Sequence, residues 1–168
     1  MLLEQAQMVS ATLVKRYKRF LSDHRLADGS VVTASCPNTG AMLGLTTPES
    51  RTVLVHAPSP TRKYDYRWEM IEDDGGWVGI NTGRPNALVE EGIVSGIIAE
   101  LQGYSALRRE VKYGNNSRID LLLEYESQPA TYVEVKNCHL RRDGRLAEFP
   151  DSVTTRGAKH LDELSEMV

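Results

Sequence analysis

Cysteine is scarce. Cys36 and Cys138 are the only two among 168 residues, too few for a disulfide framework or a Cys-based zinc site, and they fit a reducing cytosol. No apolar run is long enough to span a bilayer. Met1-Leu2-Leu3 passes at once to Glu4 and Gln5, without a secretory apolar core. The expectation is a soluble, cytoplasmic protein with no membrane partner. A strong charge of either sign is also missing. With a formal net charge of −3, any nucleic-acid surface has to be a local patch inside an acidic average. A helix-turn-helix signature is absent too, which disfavours sequence readout in the major groove. What is present, 40% hydrophobic and 26% charged residues, is the composition of a folded chain rather than a disordered one. The length suits one ordinary domain or two small ones.

The stretch Arg118 to Asn137 carries the chemistry. Arg118–Tyr125 and Thr131–Asn137 are short apolar or β-branched runs, and the polar Ser127-Gln128-Pro129 between them reads as a hairpin turn. Alternate residues of a strand share a face, so Glu134 and Lys136 point one way while Val133 and Val135 point the other. Antiparallel pairing brings Asp120 beside the end of the second strand. Two carboxylates and a lysine then meet at one sheet edge. Hard oxygen ligands suit Mg²⁺, with Asp120, Glu134 and the Val135 carbonyl as ligands. The Lys136 ammonium would orient the attacking water or offset charge on a phosphate. Against this stands the commoner use of a strand Glu-x-Lys, an exposed ion pair.

The N-terminal part, through about Thr82, reads as β. Val9–Val14, Val31–Ala34, Thr52–His56, a segment around Arg62–Trp68 and Trp77–Ile80 are short strands, with turn signals at Asp28-Gly29 and Gly75-Gly76. Such spacing suggests a small barrel of OB type, although an SH3-like barrel has the same pattern. Lys15, Arg16, Lys18 and Arg19 interleave with Tyr17 and Phe20. Cations track phosphates and aromatic faces stack on bases, so this is a candidate single-strand-binding strip. A strand with one cationic solvent face and Tyr17 in the core is the more frequent outcome of such a run. Lys63 lies in a second cationic and aromatic cluster. Cys36-Pro37-Asn38-Thr39-Gly40-Ala41-Met42 is dense in turn formers, and a loop of exposed backbone N–H groups there, at Asn38 and Thr39, could receive a phosphate.

Asn81–Asn86 forms a Gly- and Pro-containing link, which gives domains at 1–82 and 83–168. Ala87 to Leu101 has helical spacing, with Ile93, Val94, Ile97, Ile98 and Leu101 on one arc and Glu100 at its border. Arg108–Tyr113 is a strand. Lys112, and Arg118 two residues before Asp120, are candidate phosphate contacts or simply neutralise the carboxylates. The Arg141–Arg145 turn is cationic. A final helix starts near Thr154, with Leu161, Leu164 and Val168 as its stripe and His160 at its border, either a core histidine or one reaching the active edge.

The Asp-x(n)-Glu-x-Lys pattern resembles the metal-dependent PD-(D/E)xK nuclease signature, with Ile119 where that signature has Pro. More specifically, Glu110-Val-Lys-Tyr-Gly, Ser117-Arg-Ile-Asp120, Glu134-Val-Lys136, Phe149-Pro-Asp151 through Arg156-Gly, and Lys159-His160-Leu161 resemble the sugar fermentation stimulation protein (SfsA) family over nearly the whole chain. The resemblance implies an OB-like N-terminal domain and a restriction-endonuclease-like αβββα core, hence an α+β and α/β protein. It implies a Mg²⁺- or Mn²⁺-dependent phosphodiesterase acting on DNA, single-stranded or duplex; RNA also suits an OB domain. A helix glutamate often completes the metal site in such nucleases, which makes Glu100 either the third carboxylate or an ordinary solvated glutamate. Arg156, Lys159 and His160 match the family pattern as substrate contacts, while Ala158 stands where the family has Gln. The family name implies a second reading, a non-catalytic DNA-binding regulator of sugar (maltose) utilisation genes. Nuclease cores of this order continue with another strand and helix, so the second domain is expected to lack them and to associate with another copy or be marginally stable.

Overall fold

A computed structural model of the chain describes residues 7–114, 117–141, 146–148 and 155–165, with the side chains of 155–157, 159 and 160 outside that description. The chain divides into two compact units, Met1–Gly83 with Asn137–Ser152, and Arg84–Lys136 with Val153–Val168. The second unit as read from sequence, 83–168, is thus interrupted by a segment that returns to the first. Among the described residues no helix is long and apolar enough to cross a membrane.

The first unit is a closed barrel. Its strands are β1 (Gln7–Tyr17), β2 (Leu21–Leu26), β3 (Val31–Ser35), β4 (Arg51–His56), β5 (Tyr66–Asp73) and β6 (Gly76–Gly79). β1 pairs with β4 through its first half and with β2 through its second, both antiparallel. A register shift between Leu13 and Lys15 bends it where it changes partner. Two parallel pairs, Ala34–Tyr66 and Ser35–Arg67, close the circuit β1-β2-β3-β5-β4. That five-stranded closure is the OB topology, and β6 extends it as a hairpin. Leu13, Ala34, Leu54, Trp68, Ile71 and Ile80 fill the interior.

Sequence periodicity misses β2, and the reason is chemical. Two of its inward positions are Ser22 and His24, both fully buried. The His24 ring nitrogens lie 2.9 Å from the Thr52 hydroxyl and 2.8 Å from the Ser22 hydroxyl. The Trp68 ring meets it edge-on. Polar groups that satisfy each other can occupy a core, but they erase the alternation that marks a strand. Two further boundaries differ: β1 runs through Tyr17 and turns at Lys18–Phe20, and β5 begins only at Tyr66, leaving 57–65 as a loop.

In the second unit, α1 (Pro85–Val94) precedes the antiparallel sheet β7 (Ala106–Tyr113), β8 (Ser117–Glu124) and β9 (Thr131–Val133); α2 (Thr155–Ser165) follows. Ile93 of α1 packs with Leu121 and Leu123. Leu164 of α2 packs with Tyr113, Ile119 and Leu122. Both helices thus pack against β8. The predicted helix Ala87–Leu101 is corrected: α1 stops at Val94 and Ala99–Leu101 is a separate 3-10 turn. Gly96 takes φ +77° and donates its N–H to the Ile93 carbonyl at 3.1 Å, a glycine stop of the kind that ends many helices. Ile98 folds back onto Gly92, its N–H bonded to the Gly92 carbonyl at 3.1 Å. The apolar arc is broken as a result, with Val94 65% and Ile97 80% exposed.

Candidate metal and nucleic-acid sites

β8 and β9 pair Leu121 with Val133. One step further along this register, Asp120 lies across from Glu134. The ladder stops there because the Val135 N–H donates to Asp120 Oδ2 at 2.7 Å rather than to a backbone carbonyl. This shortens the strand expected over Thr131–Asn137 to Thr131–Val133. Asn86, in the first turn of α1, donates its side-chain amide to Asp120 Oδ1 at 2.7 Å. Asp120 is thus fixed from two sides. Lys136 is hydrogen-bonded to Glu134 Oε1, which keeps both side chains on one side of the chain; the lysine side chain is 33% exposed and the glutamate 12%.

A carboxylate oxygen carries two lone pairs, so each Asp120 oxygen, having accepted one hydrogen bond, keeps a lone pair for a cation. Among the described residues no three His, Cys, Asp or Glu side chains stand at metal-binding spacing. A cation at this edge would draw on the Asp120 and Glu134 carboxylates and find its other oxygens elsewhere, such as the Val135 carbonyl, water or phosphate. Mg²⁺ sites commonly have this make-up. Tyr113 reports the local field. Its phenol is pushed above its ordinary value, first by burial and then by the carboxylates of Glu134, Glu163 and Asp120, while a hydrogen bond with Ser117 opposes the shift. Glu163 enters from α2 and is buried, its Oε2 2.9 Å from where a side chain on Gly114 would begin. Asn86, Tyr113 and Glu163 join the acidic edge without a sequence signal, because each is placed by tertiary contact. Glu100 lies exposed in the 3-10 turn rather than on α1.

On the adjoining hairpin, Lys112 sits directly opposite Arg118. Like charges so placed repel, and both are exposed. Arg118 donates to the Glu110 carbonyl at 3.2 Å. Glu110 itself has φ +52°, which interrupts the β7–β8 ladder opposite Asp120.

In the barrel unit the cationic strip divides by task. Lys15 pairs with Asp23 at 3.6 Å and lies over the Tyr17 ring. The Tyr17 hydroxyl donates to Asp23 Oδ1 at 3.0 Å. Arg16 Nη2 donates to the carbonyls of Arg19, Asn38 and Gly40 at 2.8, 3.0 and 2.9 Å, and Arg19 Nε donates to the Thr39 carbonyl at 2.9 Å. Asn38 is buried, with its Oδ1 accepting from the Gly40 N–H at 2.9 Å. Lys18, Arg19 and Thr39 remain exposed. The carbonyls of Asn38, Thr39 and Gly40 are thus engaged by Arg16 and Arg19. Lys63, in the 57–65 loop, lies over the Tyr64 ring. Arg156, Lys159 and His160 fall on α2, their side chains outside the described residues, and residues 142–145 and 149–151 also lie outside them.

A family model described as the SfsA N-terminal OB domain matches residues 14–80, and one described as the sugar fermentation stimulation protein RE domain matches 83–168. A sugar fermentation stimulation protein homolog of Agrobacterium fabrum is 60% identical, over 95% of this chain and 66% of its own length. Its counterpart in Rhodospirillum centenum is 58% identical, over 96% of this chain and 69% of its own. Among solved structures, Pyrococcus furiosus SfsA in complex with Ca²⁺ matches with TM-score 0.79 and 28% identity, over 95% of this chain and 67% of that one. The chain thus spans about two thirds of the length of the relatives it matches. With both units matched and more than half of all positions shared with curated relatives, the chain belongs to the sugar fermentation stimulation protein (SfsA) family.

Proposed function

We propose that this chain is a divalent-metal-dependent, nuclease-like protein that binds DNA through its OB barrel and hydrolyses phosphodiesters at the Asp120–Glu134–Lys136 edge. The observation that carries this reading is the double anchoring of Asp120 by Asn86 and the Val135 N–H, since a functional carboxylate needs its orientation fixed before ligand arrives. The Ca²⁺ named with the Pyrococcus furiosus protein supports a site of hard oxygen ligands. Mg²⁺ or Mn²⁺, when bound, supplies Lewis-acid polarisation of a phosphate oxygen and a more acidic water. The protein's own groups do the rest. Asp120 and Glu134 would hold that cation and, through it, set where the phosphate sits. Lys136 holds Glu134 in place and offers a positive charge to the phosphoryl oxygens as water adds to phosphorus and the P–O bond to the leaving alcohol breaks. Lys112 and Arg118, exposed and side by side, would grip a flanking phosphate.

Digestion of plasmid and single-stranded DNA in Mg²⁺ tests this. Asp120→Asn and Lys136→Ala should each lower cleavage at least ~100-fold, in line with the loss of one transition-state stabiliser, with little change in melting. Parent-rate cleavage by both variants would overturn the assignment. The relatives' name, sugar fermentation stimulation, favours a second reading: a DNA-binding regulator whose acidic edge only holds nucleic acid. A mobility-shift assay run beside the digestion separates the two, because a regulator binds with promoter preference and does not cut.

A further inference from the structure

Phe20 is 52% exposed, whereas its neighbour Leu21 is buried in the barrel. It closes the three-residue connection from β1 to β2, whose other members, Lys18 and Arg19, have φ of 51° and 65°. Non-glycine residues adopt that conformation only where the surroundings impose it. Here the tight β1–β2 hairpin calls for it, and Arg16 holds the turn by binding the Arg19 carbonyl together with those of Asn38 and Gly40. Arg19 Nε adds its bond to Thr39, and the Phe20 carbonyl accepts the Cys36 N–H at 2.8 Å. The β1–β2 turn and the loop after β3 are therefore fastened into one rigid tip. Two exposed cations and an exposed aromatic ring are fixed on it, and Lys18 has no ion pair among the described residues. A hydrogen-bonded network, partly buried and partly exposed, that holds a turn while leaving an aromatic in water adds little to folding alone. It suits a ligand with flat π faces and a negative backbone.

We propose that Phe20 is a stacking platform for an unpaired base, with Lys18 and Arg19 holding the adjacent phosphates, so that the barrel takes single-stranded nucleic acid. Every base has a π face, and stacking of this kind tolerates sequence. In a duplex those faces are already covered by neighbouring base pairs. The inference rests on the nucleic-acid part of the reading above and narrows it to single strands. It also accounts for an acidic protein binding a polyanion, because the contact needs only this local tip.

The test is fluorescence anisotropy with a labelled oligothymidine and, separately, a blunt duplex, in EDTA so that cleavage plays no part. Phe20→Ala should weaken oligothymidine binding roughly ten- to a hundred-fold, the range found when a stacking aromatic is truncated, and leave duplex binding unchanged. Phe20→Trp should keep the affinity, and its indole emission should fall on addition of oligothymidine beyond any change the parent shows. Because the side chain is half in water, both variants should melt with the parent. Failure of the parent to bind oligothymidine, binding by Phe20→Ala within twofold of the parent, or an equal loss on duplex would each overturn the proposal. A chain that binds strands through Phe20 but never cuts would overturn the nuclease reading alone.

Discussion

At His24 the barrel buries an imidazole between two hydroxyls, and burial lowers its pKa to about 4, with Asp23 partly opposing. The unfolded chain titrates this group near 6.5. Between those values the unfolded state binds the proton and the folded state does not, so stability falls as pH drops from about 6.5 towards 4 and then levels off. The full effect is on the order of 3 kcal/mol. Urea unfolding at a series of pH values should show this loss, and His24→Gln, which cannot titrate, should flatten it from a lower starting stability. Equal slopes in the two proteins would show that His24 is not the titrating group. Asn86 makes a different prediction. It touches Asp120 without itself offering a carboxylate, so Asn86→Ala should weaken divalent-metal affinity about 10- to 100-fold, as loss of an orienting partner does. Melting should hardly move. An unchanged metal affinity would mean that the Val135 N–H alone suffices to hold Asp120. The approach of Asp120 to Glu134 was legible in the sequence, because the hairpin between the two runs sets their pairing, although β9 itself ends at Val133 and Glu134 and Lys136 lie beyond it. Asn86 and Glu163 were not, since their spacing from Asp120 follows from how helices dock.

Among the elements, α1 shows where local pattern fails. Ile93, Ile97 and Ile98 keep helical spacing through residue 98, yet a single left-handed glycine turns the chain after Val94. Spacing records where apolar groups would fall on a continuous helix and carries no information about whether the helix continues. No atom lies within 4 Å of where a Gly96 side chain would begin, so Gly96→Ala isolates the backbone cost. It should destabilise the chain by about 1 kcal/mol, read from the urea midpoint. No loss would mean that α1 can run on as the periodicity suggests, carrying Glu100 with it. β2 fails in the opposite way. Its core positions hold Ser22 and His24, whose partners come from the neighbouring Thr52 and from the strand itself, so hydrophobicity gives no strand signal. The other barrel strands were readable where apolar residues dominate their interiors and their turns carry Gly, Pro, Asn or Asp, though β5 begins later than its cationic and aromatic run suggests. The closure of β3 onto β5 rests on only two residue pairs and is invisible to any local pattern.

On the scale of the whole molecule, two units of unlike architecture carry complementary chemistry. One is an OB barrel with a cationic, aromatic tip, and the other is a small sheet with an anchored carboxylate at its edge. With a formal net charge of −3, any nucleic-acid surface has to be a local patch, and the β1–β2 tip is one place where exposed cations gather. If such contacts dominate, binding of oligothymidine should weaken steeply with salt, with a log–log slope of about −0.7 per phosphate neutralised. A salt-independent affinity would rule out phosphate contacts as the source of binding. The proposed chemistry depends most on a cation held between Asp120 and Glu134. Calorimetric titration of Mn²⁺ into the parent chain and into Asp120→Asn, both shown to be folded by circular dichroism, measures this most directly. The parent should bind Mn²⁺ saturably and Asp120→Asn should not; the same isotherm from both proteins, or none from the parent, would contradict a cation held by this edge.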